Sequence, residues 1–295
     1  MNSIKQLNIV GCGKLGRTLG ALWFRAGLLR IGEICNRSFQ SSAAAGDFIG
    51  AGKACGSIEK MAPAPLWMIA TPDSEIRLVA ENLAESGRVG RGDLVFHCSG
   101  ALSSELLSSL ADQGALIASM HPIRSFANPV SAMESFPGTV CSLEGHDEAS
   151  DILESLAAGL GARCFRLSAR SKMLCHAGHV FASNYIVAVI DVAQRLYREA
   201  GVSDEAIQAL LPPLVAGVGE AVISRGTTEA LTGPVSRGES QIVAAQLSAL
   251  DSVGQPYAKL YRALAQQALI IAERKGDLGA DKLRALGEIL GPIPE

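Results

Sequence analysis

A short apolar run, Leu7-Asn-Ile-Val10, passes directly into Gly11-Cys-Gly-Lys-Leu-Gly16 and then into a helical pattern that reaches Ala26. No other feature constrains the fold as much. A strand ending in a Gly-x-Gly-x-x-Gly turn that opens a helix is the usual start of a doubly wound α/β sheet. Gly11 permits the tight turn, Gly13 lets a phosphate approach the backbone, and Gly16 lets helix and strand pack closely. The amides of Cys12, Gly13, Lys14 and Leu15, at the start of the helix, then face whatever anion sits on the turn.

The pattern that follows agrees with such a sheet. Ile31–Cys35, Leu66–Ala70, Leu94–His97 and Ala115–Met120 are near-continuous apolar strands separated by helical segments, as in a parallel sheet covered on both faces. Thr139–Leu143 and Arg163–Leu167 are two further strands, joined by a helix from about Asp147 to Leu160. After Leu167 strand signals stop. Helical periodicity runs through Ser171–Ala200, Asp204–Ser224, Gly238–Leu250, Pro256–Arg274 and Ala280–Leu290. The expected organisation is therefore a Rossmann-type α/β domain over 1–167 and an all-helical domain over 168–295.

Composition narrows the function classes. With 26 Lys and Arg against 29 Asp and Glu, the net charge of −3 lacks the basic footprint of a nucleic-acid binder. The seven cysteines are odd in number, scattered and without a CxxC pair, so neither a disulfide framework nor a metal site is expected. Only six residues precede the first strand, too few for a signal peptide, and His179, Ser183, Asn184 and Asp191 interrupt the most apolar stretch, Ala177–Ala193. A soluble cytoplasmic protein without a membrane span is expected. The helical half is rich in Ala, Leu, Val and Ile, which predicts a homodimer through these helices.

The cofactor follows from the end of the second strand. There a carboxylate would bind a free ribose 2′-hydroxyl, but the chain has Asn36-Arg37-Ser38. An arginine fork beside small polar groups suits a 2′-phosphate, so NADP(H) is expected. Thr71-Pro72 and Ser99-Gly100 also stand at the carboxyl ends of strands, where such sheets bind ligands. Ser99 and Gly100 would hold an anionic substrate group, with a plain helix cap as the alternative for Ser99.

These residues, with the helical domain, resemble the 6-phosphogluconate dehydrogenase-like and ketopantoate reductase-like NADP oxidoreductases. His121-Pro-Ile-Arg-Ser-Phe126 and Leu231-Thr-Gly-Pro-Val-Ser-Arg-Gly238 look closer still to a branch that joins a Rossmann-like domain to a C-terminal domain of unknown function. The resemblance implies a Lys on the first long helix of the second domain, matched by Lys172. His176 stands where the better-known branches carry Asn, so no particular β-hydroxyacid substrate is implied. His121-Pro122 resembles the His-Pro motif of prephenate dehydrogenases, whose His binds the reacting hydroxyl. The resemblance also favours a role for Arg237 as a carboxylate or phosphate clamp over a plain inter-helix turn.

Placed on one helix, Lys172, His176, His179 and Ser183 fall within about 60° of one another, with Asn184 at one flank. One Lys, two His and one Ser suit the lining of a cleft better than a solvated stripe. With no carboxylate on this stretch to pair with it, Lys172 is expected to have a lowered pKa. The expected activity is hydride transfer between NADP(H) and a small anionic carbonyl, hydroxy or imine substrate between the domains. Lys172 or His121 would carry the proton, and His176 and Asn184 would orient the substrate. A non-catalytic NADP-binding sensor is the competing class, and an adenosylmethionine-dependent transferase a distant third.

Overall fold

The computed structural model describes residues 5–254 and 256–292. Eight strands form one sheet: β1 (Gln6–Val10), β2 (Arg30–Cys35), β3 (Lys53–Cys55), β4 (Leu66–Ile69), β5 (Leu94–His97), β6 (Leu116–Pro122), β7 (Val140–Gly145) and β8 (Arg163–Arg166). Their order is β3-β2-β1-β4-β5-β6-β7-β8, and every neighbouring pair is parallel except β6 with β7. The helices between them are α1 (Lys14–Arg25), α2 (Phe39–Ile49), α3 (Ile76–Ser86), α4 (Ser108–Ala111), α5 (Pro129–Glu134) and α6 (Asp147–Ala158). Side chains alternate between two cores along each strand. Leu7, Ile9, Leu66, Met68, Leu94 and Phe96 enter one, while Val10, Trp67, Ile69 and Val95 enter the other. Burial on both faces is why these strands lack polar alternation.

Three details depart from the sequence reading. The three-residue β3 is an added edge strand, too short to give a periodic signal. The helical segment expected between Leu94–His97 and Ala115–Met120 is a 3-10 turn, Ser104–Leu107, leading into the short α4. The expected continuous helix Ser171–Ala200 is broken. α7 (Lys172–Ala182) ends at Ser183, which has φ −137° and ψ −73°, and α8 runs Asn184–Glu199.

The chain divides into two compact units, Met1–Asn184 and Tyr185–Glu295. α7 thus goes with the sheet, whereas the change of pattern after Leu167 had placed it with the helical half. In the second unit, α9 (Asp204–Ala230, kinked at Gly226), α10 (Pro234–Arg237), α11 (Ser240–Val253), α12 (Tyr257–Lys275) and α13 (Ala280–Leu290) follow α8. Val235, Val243, Leu247, Ala258, Ala265, Leu286 and Leu290 form its core. Two helical stretches, Ala169–Glu199 and Asp204–Arg237, are long and apolar enough to cross a membrane by length and composition alone, which is weak evidence for a span.

Candidate functional site

The glycine turn adopts the geometry its residues predict. Gly11 has φ +81°, and its N–H donates to the Cys35 carbonyl at 2.9 Å. A Cβ there would lie 2.4 Å from Thr71 Cγ2, so the turn is seated directly against the end of β4. Gly13 has open space where a side chain would be, and a Cβ on Gly16 would lie 3.3 Å from the Ala70 Cβ. Lys14 is exposed, Leu15 packs on the sheet core, and burial pushes the Cys12 thiol up to about 12.

At the end of β2 the three polar residues divide their work. The Asn36 side chain accepts from the Cys12 N–H at 2.6 Å and donates to Ser41 Oγ at 3.2 Å, so it braces the turn. Ser38 caps α2, accepting from the Ser41 N–H at 3.2 Å. Arg37 is exposed. The Thr71 hydroxyl is buried without a partner, and Pro72 leads into a 3-10 turn, Asp73–Glu75.

Ser99, expected to hold an anion, has its hydroxyl fully engaged. It donates to Asp73 Oδ2 at 2.8 Å and accepts from the amides of Ala101 at 3.2 Å and Leu102 at 3.0 Å. These bonds to the amides two and three residues on are cap-like, but no helix begins there: the 3-10 turn that follows starts at Ser104, after Ser103. His97, wholly buried, holds the same loop: Nδ1 accepts from the Ser99 N–H at 3.1 Å, and Nε2 donates to the Ser103 carbonyl at 3.0 Å. Desolvation lowers its pKa to about 4, so it is neutral at physiological pH.

The lysine is not short of an acid. Lys172 is 1% exposed, and its amine donates to the Ser99 carbonyl and to Ser119 Oγ. Glu144 Oε2 lies 4.0 Å away. That carboxylate, on β7, also accepts from the Ser104 amide and hydroxyl, both at 2.8 Å, and from Ser119 Oγ at 3.1 Å. Burial lowers the Lys172 pKa while Glu144 opposes that shift. Because the partner comes from a strand, no inspection of the helix alone could find it.

Three imidazoles gather beside this network. His121 at the end of β6 has ring centroids of His176 and His179, both on α7, at 6.2 and 6.1 Å. Its Nδ1 lies 3.3 Å from the Cys98 carbonyl, which can only accept, so Nδ1 carries the hydrogen and Nε2 keeps its lone pair. Desolvation holds its pKa at about 4. Gly100 makes room for the group, since a Cβ there would sit 2.8 Å from His121 Nε2 and from His176 Cδ2. The break at Ser183 takes Asn184 off the Lys172–His179 face, and Ser183 donates instead to the His179 carbonyl and to Asn184 Oδ1. Among the described residues, no group of three or more His, Cys, Asp or Glu side chains is arranged to hold a metal ion.

Arg237 belongs to the second unit. Its guanidinium is held by Glu239 through two bonds of 2.8 and 2.9 Å. Gly233 and Gly238 have φ of +94° and +72°, Val235 enters the helical core, and a Cβ on Gly238 would lie 2.6 Å from Lys282 Cδ. Residues 231–238 therefore build a turn around the short α10, with Arg237 exposed and paired to Glu239.

Two family models match the chain: a Rossmann-like domain over residues 2–122 and a domain of unknown function, DUF2520, over residues 139–268. The chain pairs a Rossmann-like domain with a DUF2520 domain. The glycine turn, Ser99, Gly100 and His121 fall in the Rossmann-like match. Glu144, Lys172, His176 and His179 fall in the DUF2520 match, which begins within the sheet.

Among solved structures, protein TM1727 of Thermotoga maritima is 27% identical, with a TM-score of 0.73 over 92% of this chain and 99% of that one. An imine reductase of Myxococcus stipitatus, in complex with NADP+, shares 15% identity and a TM-score of 0.64 over 97% and 100%. A pyrroline-5-carboxylate reductase of Coxiella burnetii shares 16% and 0.58 over 91% and 99%. The two reductases show likeness of fold. No curated protein matches the chain.

Sequence reasoning missed Glu144 and Ser119, and it placed Asp73 and His97 at strand ends without finding their bonds to the Ser99 loop. The available signal was polarity inside apolar strands: Ser142 and Glu144 alternate with Cys141 and Leu143, and Ser119 interrupts Ala118 and Met120. A carboxylate in a buried strand needs a partner, which the sequence could have flagged without naming the lysine.

Proposed function

We propose that the protein is an NADP(H)-dependent oxidoreductase, working in the cytoplasm, whose small anionic substrate carries a carbonyl, hydroxyl or imine group. The carrying observation is the cradle at the ends of β1, β2 and β4. Gly13 faces open space, the buried Thr71 hydroxyl lacks a partner, and exposed Arg37 and Ser38 stand where no carboxylate competes. These residues fit a phosphorylated dinucleotide: the amides of Lys14 and Leu15 at the start of α1 would hold its diphosphate, those of Cys12 and Gly13 being engaged by Asn36 Oδ1 and the Gly11 carbonyl, Thr71 Oγ1 is available to hydrogen-bond it, and Arg37 with Ser38 would take the 2′-phosphate. NADP(H), when bound, supplies or accepts a hydride at the reacting carbon. The same fold in an imine reductase complexed with NADP+ supports the reading.

The chain's own contribution centres on His121. Its neutral Nε2 accepts a hydrogen bond or a proton from the reacting heteroatom, and His176 orients the substrate. Gly100 leaves space for both rings. A cofactor sensor without turnover is the second reading, favoured by the engagement of the Lys172 amine in a buried network. Melting curves with saturating NADPH and NADH separate cofactor choice. At one hundred times Kd a ligand stabilises the native state by about 2.7 kcal/mol. NADPH is expected to raise Tm more than NADH, with the difference lost in Arg37→Ala; equal shifts in the wild type count against the reading. A screen of carbonyl, hydroxy and imine compounds, followed at the nicotinamide absorbance, then decides between enzyme and sensor.

We further infer that two copies pair through the second unit. α8 has no buried residue although Ile186, Val187 and Val189 project from it, and Ile223 of α9 is 89% exposed. Helices of this length depend on packing for stability. The Asp191–Arg195 ion pair near the middle of α8 fits a protein partner better than lipid.

A further inference from the structure

Lys172 is the one buried residue of α7. An eleven-residue helix whose one fully buried side chain carries an ammonium group is an unusual arrangement, because helices normally anchor through apolar side chains. The amine bonds the Ser99 carbonyl on the β5 loop and the Ser119 hydroxyl on β6, and pairs with Glu144 on β7. Ser119 and Glu144 are directly opposed across the antiparallel β6–β7 pair, and the Ser119 hydroxyl links the two charges by accepting from Lys172 and donating to Glu144. The second carboxylate oxygen takes the Ser104 hydroxyl, so both oxygens of Glu144 are bonded. His176 lies one turn beyond Lys172 on α7, and His121 lies two residues beyond Ser119 on β6.

We propose that Lys172 and Glu144 are a positioning pair that pins the first turn of α7 to the sheet and thereby sets His176 and His179 against His121. On this view the lysine holds the imidazole group together and does not itself move the proton. Burial makes the pair sensitive to the loss of one partner, since the charge left behind has no solvent to turn to. Removing both charges together spares that penalty but leaves α7 without its anchor. Which groups stand against the substrate is taken from the reading of His121 and His176 proposed above; the pin itself is independent of cofactor choice.

The test follows the three imidazoles directly by long-range 1H–15N NMR of the full chain, in the wild type and in Lys172→Met, Glu144→Gln and the double variant. The ring resonances of His121, His176 and His179 are expected to shift in each variant. The NADPH-induced rise in Tm is expected to equal that of the wild type. If a single variant does not fold, the double variant and Ser119→Ala, which removes the bridging hydroxyl and keeps both charges, carry the same measurement. Unmoved imidazole resonances in the folded variants overturn the proposal. The absence of an NADPH shift in the wild type overturns the cofactor reading alone. With an active substrate, a positioning role lowers kcat at least tenfold and keeps the pH at which the rate turns over; disappearance of that limb in Lys172→Met assigns the proton to the lysine and overturns the pin.

Discussion

At the scale of single residues the site is shaped by what small groups permit. Gly100 sits where a methyl group would meet His121 and His176 at 2.8 Å. Gly100→Ala is therefore expected to retain the NADPH-induced Tm shift and to lower turnover by about 10²-fold, the penalty of an ångström-scale misplacement, measured with the first substrate found. His97 and His121 add a pH signature. Each has a pKa of about 4 in the native protein, against about 6.5 for an unfolded histidine. Between those values the unfolded chain binds more protons, so stability falls as the pH drops from about 6.5 towards 4, and neither ring contributes a slope above that window. Urea midpoints at pH 7 and pH 5 are expected to differ less in His97→Gln than in the wild type. An unchanged difference would show that His97 is not held neutral. Arg37 could be placed at the end of β2 from sequence alone, and the structure leaves it exposed there. Ser99 was legible only as one of two alternatives, since its bonds to Asp73 and to nearby amides are made by folding.

At the scale of elements, the strands and helices of the sheet follow from apolar runs and glycine turns, but their attachments do not. Trp23 on α1 is fully buried, donates to the Leu156 carbonyl of α6 at 3.2 Å and meets Phe96 of β5 edge-on at 6.2 Å. It ties together two helices that are far apart in sequence. Trp23→Ala is expected to destabilise the protein by about 3–5 kcal/mol, read from chemical denaturation, with the cofactor turn intact in whatever fraction remains folded. Arg124 shows the same distinction. In the His121–Phe126 segment its guanidinium donates to the Ser135 carbonyl at 2.6 Å and to Thr139 Oγ1 at 3.1 Å and lies 5.8 Å from the Phe136 ring centroid, so it fastens the loop before β7. The helix break at Ser183 had no proline or glycine to announce it. Periodicity on both sides stays helical, and only the backbone angles separate the Lys172–His179 face from Asn184.

For the whole molecule, exposed apolar surface on α8 and α9 is the dominant unsatisfied feature of the single chain. Light scattering is expected to give twice the chain mass, and Ile223→Asp to weaken that association; a monomer at micromolar concentration, in the wild type, would rule the pairing out. The order of elements was legible because a glycine turn, apolar strands and helical periods are local patterns that each residue reports with its neighbours. The doubly wound sheet and the glycine turn belong to that class. The division at Asn184, the Glu144 partner of Lys172 and the gathering of His121, His176 and His179 do not. Those depend on which strands become neighbours, and a buried charge pair between β7 and α7 exists only once the antiparallel β6–β7 contact has placed Glu144 beside Ser119.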